Sequence, residues 1–145
     1  QKTELVSNGI LKTWILNTAT AKKLNLKTTG HASRSIGAPP GTGTNNLFMA
    51  NGIISYEDLI GSINTGFYAT ELIGMGVNLV TGDFSVGASG YWIENGEKIF
   101  PVSEVTIASN LKEMFLNLSA ANDLEFKYGT NAPTLCIENM TLAGK

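Results

Sequence analysis

The sequence predicts an α+β fold: a largely antiparallel β-sheet domain with two or three short helices. Three observations lead there. Two Asn-Gly pairs, Asn8-Gly9 and Asn95-Gly96, each sit between strand-like runs, and Asn-Gly is the strongest short hairpin signal. The long stretch 66–107 is rich in β-branched, aromatic and glycine residues. The helical candidates are short and do not alternate with strands as β-α-β units, which argues against a parallel sheet. At 145 residues the chain is sized for one domain, 1–145.

In chain order, Thr3 to Val6 and Ile10 to Leu16 read as the arms of a first hairpin. Residues 18–26 read as a short helix, capped by Thr18 or Thr20, with Leu24 and Leu26 facing inward. Residues 27–45 carry Gly30, Gly37, Pro39, Pro40, Gly41 and Gly43 without periodicity and read as a long loop. A short strand is expected over Asn46 to Ala50. Ser55 is a good N-cap for a helix to about Ile63, with Asp58 at the capping-box position. Gly66 to Leu72 is a strand candidate, and the glycines of 74–90 suggest bulges, tight turns or strands at close approach. Residues 91–107 form the clearest hairpin. Asn110 or Ser109 starts a helix to about Ala120, because Leu111, Met114, Phe115 and Leu118 share one helical face. Asp123 to Tyr128 and Thr134 to Leu142 are expected as the final strands.

Composition narrows the function. The hydrophobic fraction of 43% supports a packed core, while the charged fraction of 15% falls well below the ~25% of an ordinary domain. Much of the surface is therefore neutral, or is normally covered. The net charge of -2 and pI of about 5.3 offer no basic stripe, so no direct nucleic-acid binding is expected. No apolar run reaches the ~18 residues that signal a membrane span, and no membrane association is expected. The single Cys136 excludes an internal disulfide and points to a reducing, cytoplasmic compartment. Asn117-Leu118-Ser119 and Asn139-Met140-Thr141 match the glycosylation sequon, and in such a compartment they are chance matches. The chain begins at Gln1 with a strand-like run almost at once, which reads as a piece of a larger protein.

The residues assemble no complete catalytic set. His31 is the only histidine, and no His-x3-His or Cys-x2-Cys spacing exists for zinc. Its polar loop either bonds locally or lines a ligand groove. Cys136 lies in the apolar run Leu135-Cys136-Ile137 and reads as a small buried hydrophobe. Gly74 and Gly76 supply only part of a dinucleotide fingerprint, and residues 37–43 lack the Gly-Lys-Ser/Thr ending of a phosphate loop. Ser85 and Ser89 are in no Gly-x-Ser-x-Gly elbow. Asp83, between Gly82 and Phe84, reads chiefly as a turn organiser.

The run Gly66 to Ile107 is more distinctive than any short motif. Thr70 to Asn78 (TELIGMGVN), Val80 to Ser85 (VTGDFS), Gly90 to Gly96 (GYWIENG) and Pro101 to Met114 (PVSEVTIASNLKEM) stand in order. So do Asn8 to Gly30, Asn122 to Glu125 and Met140 to Gly144. Together they resemble the C-terminal region of the TldD/PmbA family, once called modulators of DNA gyrase, over essentially the whole chain. Details resemble the PmbA (TldE) branch. The sister TldD branch carries a His-Glu-x-x-x-His helix upstream and a zinc-binding cysteine before the final Pro-Thr-Leu strand. Here that position falls at about Gly129, and Cys136 follows Pro133-Thr134-Leu135 instead.

The resemblance implies a cytoplasmic metallopeptidase complex that degrades or matures peptides. The implied partner is a TldD-like subunit in a heterodimer, with peptide as the substrate. Zinc is expected in the partner subunit, with no cofactor in this chain and no catalytic residue of its own. His31, Asn78, Thr81, Asp83 and Ser85 are the candidates for a peptide groove or partner interface. The competing expectation is a regulatory or protein-binding module without proteolysis.

Overall fold

The computed structural model describes residues 2–144, and within it the chain divides into two compact units. The first holds residues up to Phe48 with Lys127–Asn131; the second holds Met49–Phe126 and the chain from Ala132 onward.

The first unit consists of short pieces. Strands β1 (Val6–Ser7) and β2 (Ile10–Leu11) pair antiparallel around Asn8 and Gly9, both at positive φ, as a tight Asn-Gly turn requires. Helix α1 (Thr18–Lys23) is capped by Asn17, not by Thr18 or Thr20. The Asn17 Oδ1 accepts from the Thr20 N–H at 2.8 Å, and the Thr20 hydroxyl reciprocates by accepting from the Asn17 N–H at 3.0 Å. Thr20 thus completes the capping box from inside the helix. Leu24 and Leu26 do not face inward; they stay 56% and 51% exposed, because the helix ends at Lys23 and the chain turns through Asn25 at positive φ. The loop 27–45 contains a small ladder, β3 (Ala32–Ser33) on β4 (Gly41–Thr42). It is tied down by the buried Asn17, whose amide donates to the Pro40 and Gly41 carbonyls. Strand β5 (Leu47–Phe48) pairs parallel with β10 (Thr130–Asn131).

The second unit is built on an antiparallel sheet of order β12-β8-β7-β6. Its members are β6 (Thr65–Ile73), β7 (Asp83–Glu94), β8 (Glu97–Asn110) and β12 (Thr141–Ala143). The β7–β8 hairpin turns at Asn95-Gly96, again with both residues at positive φ. Along β7, Val86, Ala88 and Gly90 are buried, then Ile93 at 1% exposure. The switch from even to odd positions means the strand buries opposite faces at its two ends. At the hairpin tip, the Asn95 and Gly96 N–H groups donate to Asn64 and Ile63 carbonyls. Helix α2 (Tyr56–Gly61) leads into that contact, capped by Ser55 with its side chain bonded to Asp58, and buries Leu59.

Strand pairing is irregular on both sides of β7 around Ser89 and Gly90. Thr70 is an extra residue on β6, and Ser103-Glu104 together oppose Ser89 on β8, with Glu104 at φ 58°. Such bulges bend and twist a strand. Gly90 is required beside them, since a Cβ there would overlap the Tyr68 carbonyl oxygen.

Three expectations at the C-terminal end are corrected. The helix begun at Asn110 is α3 (Leu111–Leu116), not a run to Ala120. Asn117 ends it, Leu118–Ala120 becomes β9, and Phe115 stays exposed while Leu111, Met114 and Leu118 are half-buried. Asp123 to Tyr128 is not a strand: its backbone is held by side chains, Asn51 for Leu124 and Asn131 for Lys127 and Tyr128. The last strand divides into β11 (Leu135–Ile137), paired with β9, and β12, because Asn139 at φ 61° breaks it.

Candidate functional site

Three of the five residues singled out from sequence, Asn78, Thr81 and Asp83, fall in one turn of the second unit. Val77 and Phe84 form an antiparallel bridge, and residues 78–83 close it. The Asn78 N–H donates to the Asp83 carbonyl at 2.8 Å, and the Gly82 N–H to the Asn78 carbonyl at 2.7 Å. The Asn78 Oδ1 accepts from the Val80 and Thr81 N–H groups at 2.9 and 3.3 Å. The Thr81 hydroxyl donates to Asp83 Oδ2 at 2.7 Å. Asn110, the cap of α3, donates its amide to the Thr81 carbonyl at 3.1 Å and to Asp83 Oδ1 at 3.3 Å. Its own oxygen accepts from the Lys112 N–H, and the Leu111 N–H reaches the Gly82 carbonyl. The turn, the cap and the start of α3 are therefore one network. Asp83 spends its carboxylate on that network. Ser85 lies just outside it on β7, exposed, with its N–H donating to the Gly76 carbonyl.

The same stretch is rich in apolar residues. Leu72, Ile73, Met75, Val77, Leu79 and Val80 are all exposed, with Met75 at 101% and Val80 at 95%. The Asn78 Oδ1, the Thr81 hydroxyl and the Asp83 carboxylate are all engaged within the turn and its cap, so much of what it offers outward is hydrocarbon. Leu72 and Ile73 point to opposite faces of β6, while Met75, Leu79 and Val80 stand out beyond its end; exposed apolar side chains in such number are typical of contact sites.

His31 belongs to the first unit, and its Nδ1 lies 2.9 Å from the Thr29 hydroxyl. Cys136 is half-buried on β11 in the second unit, where burial, then the charge of Glu138, pushes its thiol up from the ordinary range. Gly129 sits in the first unit, its carbonyl accepting from the Leu47 N–H. Among the described residues no three His, Cys, Asp or Glu side chains gather as a metal would need. The donors among the described residues are thus not gathered as a zinc site needs.

One cluster escaped the sequence reading. The Lys98 ammonium donates to the Tyr56 hydroxyl at 2.8 Å and lies 3.4 Å from the Tyr68 ring centroid. The rings of Tyr56 and Tyr68 meet edge-on at 6.4 Å. The Lys98 hydrogen bond draws the Tyr56 phenol below its ordinary value, while the Tyr56 hydrogen bond and burial push Tyr68 up. Burial opposes the charge on Lys98, but the two tyrosines outweigh it and its pKa is raised. No motif could have signalled this, because the three residues come from α2, β6 and β8.

Comparison with known proteins gives a coherent result. The sequence model described as the PmbA/TldA metallopeptidase C-terminal domain matches residues 1–144. Metalloprotease PmbA of Escherichia coli O157:H7 is 39% identical over 146 aligned positions, covering 100% of this chain and 30% of that protein. A metalloprotease TldD homolog of Buchnera aphidicola is 27% identical, covering 99% of this chain and 33% of that protein. Among solved structures, TldE from Thermococcus kodakarensis superposes with a TM-score of 0.84 at 28% identity, covering 97% of this chain and 33% of that one. A putative modulator of DNA gyrase from Thermotoga maritima gives 0.80 at 33% identity, covering 96% of this chain and 32% of that one. The chain thus spans about a third of the length of the relatives it matches.

Proposed function

The chain belongs to the PmbA/TldA metallopeptidase family, matching its C-terminal domain, and from that premise we propose that it serves as the non-metal, PmbA (TldE)-like subunit of a cytoplasmic peptidase complex. In this reading a TldD-like subunit holds the zinc and hydrolyses peptides. The present domain contributes the partner interface and part of the wall that holds the peptide. The observation that carries the reading is the set of exposed apolar side chains from Leu72 to Val80 around a turn held by its own side chains. Interfaces are depleted of charge at their core, and a chain with only 15% charged residues suits such burial. Asn78, Thr81 and Asp83 give the turn a fixed shape, and Ser85 stands beside it with a free hydroxyl to meet a partner or peptide.

The test is co-purification of the full chain with a TldD-like subunit. Leu79→Glu and Val80→Glu lie at 86% and 95% exposed positions, so they leave the fold intact. Each should abolish co-purification. Retention of the partner by both variants would move the interface elsewhere, and failure of the parent chain to capture a TldD-like subunit would favour a binding module without proteolysis.

A further inference from the structure

The first unit carries an open cavity of about 840 Å³, within the ~300–1,000 Å³ of small-ligand sites. Its wall includes Lys2, the residues of β3 and β5, and the segment 43–46. The lining is chemically one-sided. The only arginine and the only histidine of the chain, Arg34 and His31, both line it, together with Lys2, and among the described residues no Asp or Glu does. That bias stands out in a chain of net charge -2. Neutral hydrogen-bonding groups, Asn45 and Asn46, complete the wall.

The cations differ in how they are engaged. Lys2 lies 5.4 Å from the Phe48 ring centroid, an anchored position for its ammonium. Among the described residues Arg34 has no ion-pair or hydrogen-bond partner, so its fork of donors is available. A guanidinium matches a carboxylate with two parallel hydrogen bonds.

We propose that this cavity binds a carboxylate carried by a peptide, with Arg34 as the principal contact and Lys2 and His31 in support. The carboxylate comes from the peptide C-terminus or from an acidic side chain. The inference rests on the peptide-handling reading for its ligand, and on the cavity lining for its site.

Binding is measured by calorimetry on the full chain at low salt with three probes: N-acetyl-trialanine as free acid, the same peptide as C-terminal amide, and N-acetyl-Ala-Asp-Ala amide. The free acid, the Asp peptide or both should bind, and the trialanine amide should not. Which acidic probe binds identifies the source of the carboxylate. Arg34→Gln should weaken binding about tenfold or more, and Arg34→Lys should recover only part, since a charged hydrogen bond is lost or made monodentate. Lys2→Gln should cost less. Arg34 is exposed and unbonded, so thermal melts should show both Arg34 variants folded. Equal binding of all three probes, no binding of any, or unchanged affinity in Arg34→Gln would overturn the inference. Peptide hydrolysis by the complex with a TldD-like subunit is followed separately with the parent chain. If the peptidase reading fails, hydrolysis is absent while carboxylate binding persists; if only the carboxylate inference fails, the reverse holds.

Discussion

Replacing Asn110 by alanine tests whether the turn and α3 form a single network. The substitution removes the N-cap acceptor for the Lys112 N–H, which costs about 1 kcal/mol. It also removes the amide donor to the Thr81 carbonyl and the Asp83 carboxylate. Both bonds are solvent-exposed, so about 0.5 kcal/mol each is appropriate. The total is about 2 kcal/mol, or a fall of ~1 M in the urea midpoint for a slope of ~2 kcal/mol/M. The assay is urea unfolding followed by tryptophan fluorescence. Trp14 lies in the first unit and is 57% exposed, so a Trp14→Phe background leaves Trp92 to report on the second unit alone. Asn110→Ser keeps the cap acceptor but loses the amide, and should show about half the effect. A loss under about 0.5 kcal/mol for Asn110→Ala, or equal losses for the two variants, would refute the network.

Three further outcomes follow from the same geometry. Ile93→Ala, at a 1% exposed position, should cost about 2–5 kcal/mol by the same unfolding assay. Lys98→Met should return the Tyr56 phenol upward toward its ordinary value, seen as a shift of the lowest tyrosine transition in an ultraviolet titration. The Asp123 carboxylate is held below its ordinary value chiefly by the Thr134 hydroxyl, with Oγ1 2.6 Å from Oδ2. A depressed folded-state pKa adds stability above the unfolded value of about 3.9, and that stability disappears as pH falls through the folded value. Asp123→Asn should therefore narrow the loss of stability between neutral pH and about pH 3, read by urea midpoints across that range.

The sequence was most legible where local chemistry dictates the backbone. Both Asn-Gly hairpins formed where expected because a two-residue turn needs positive φ at each position. Ser55 capped α2 because its hydroxyl reaches the Asp58 N–H at 3.0 Å. What was hidden depends on distant partners. The apolar face Leu111 to Leu118 promised a longer helix, but β11 recruits Leu118–Ala120 into a ladder. Asn139 and Glu104 take positive φ without glycine, which no pattern announces. Asp83 was readable as a turn organiser from its Gly82 neighbour, yet its tie to Asn110 spans 27 positions. The Lys98 pair with Tyr56 spans 42 and leaves no trace in spacing.

The central claim is division of labour between two chains, and complementation tests it most directly. Peptidase activity is measured for the full-length protein containing this domain, for a TldD-like subunit, and for the two mixed, with the zinc content of each determined beforehand. The account predicts stoichiometric zinc in the TldD-like subunit alone and full activity only in the mixture. One tightly held zinc per copy of this protein, or peptide hydrolysis by this protein alone, would contradict it.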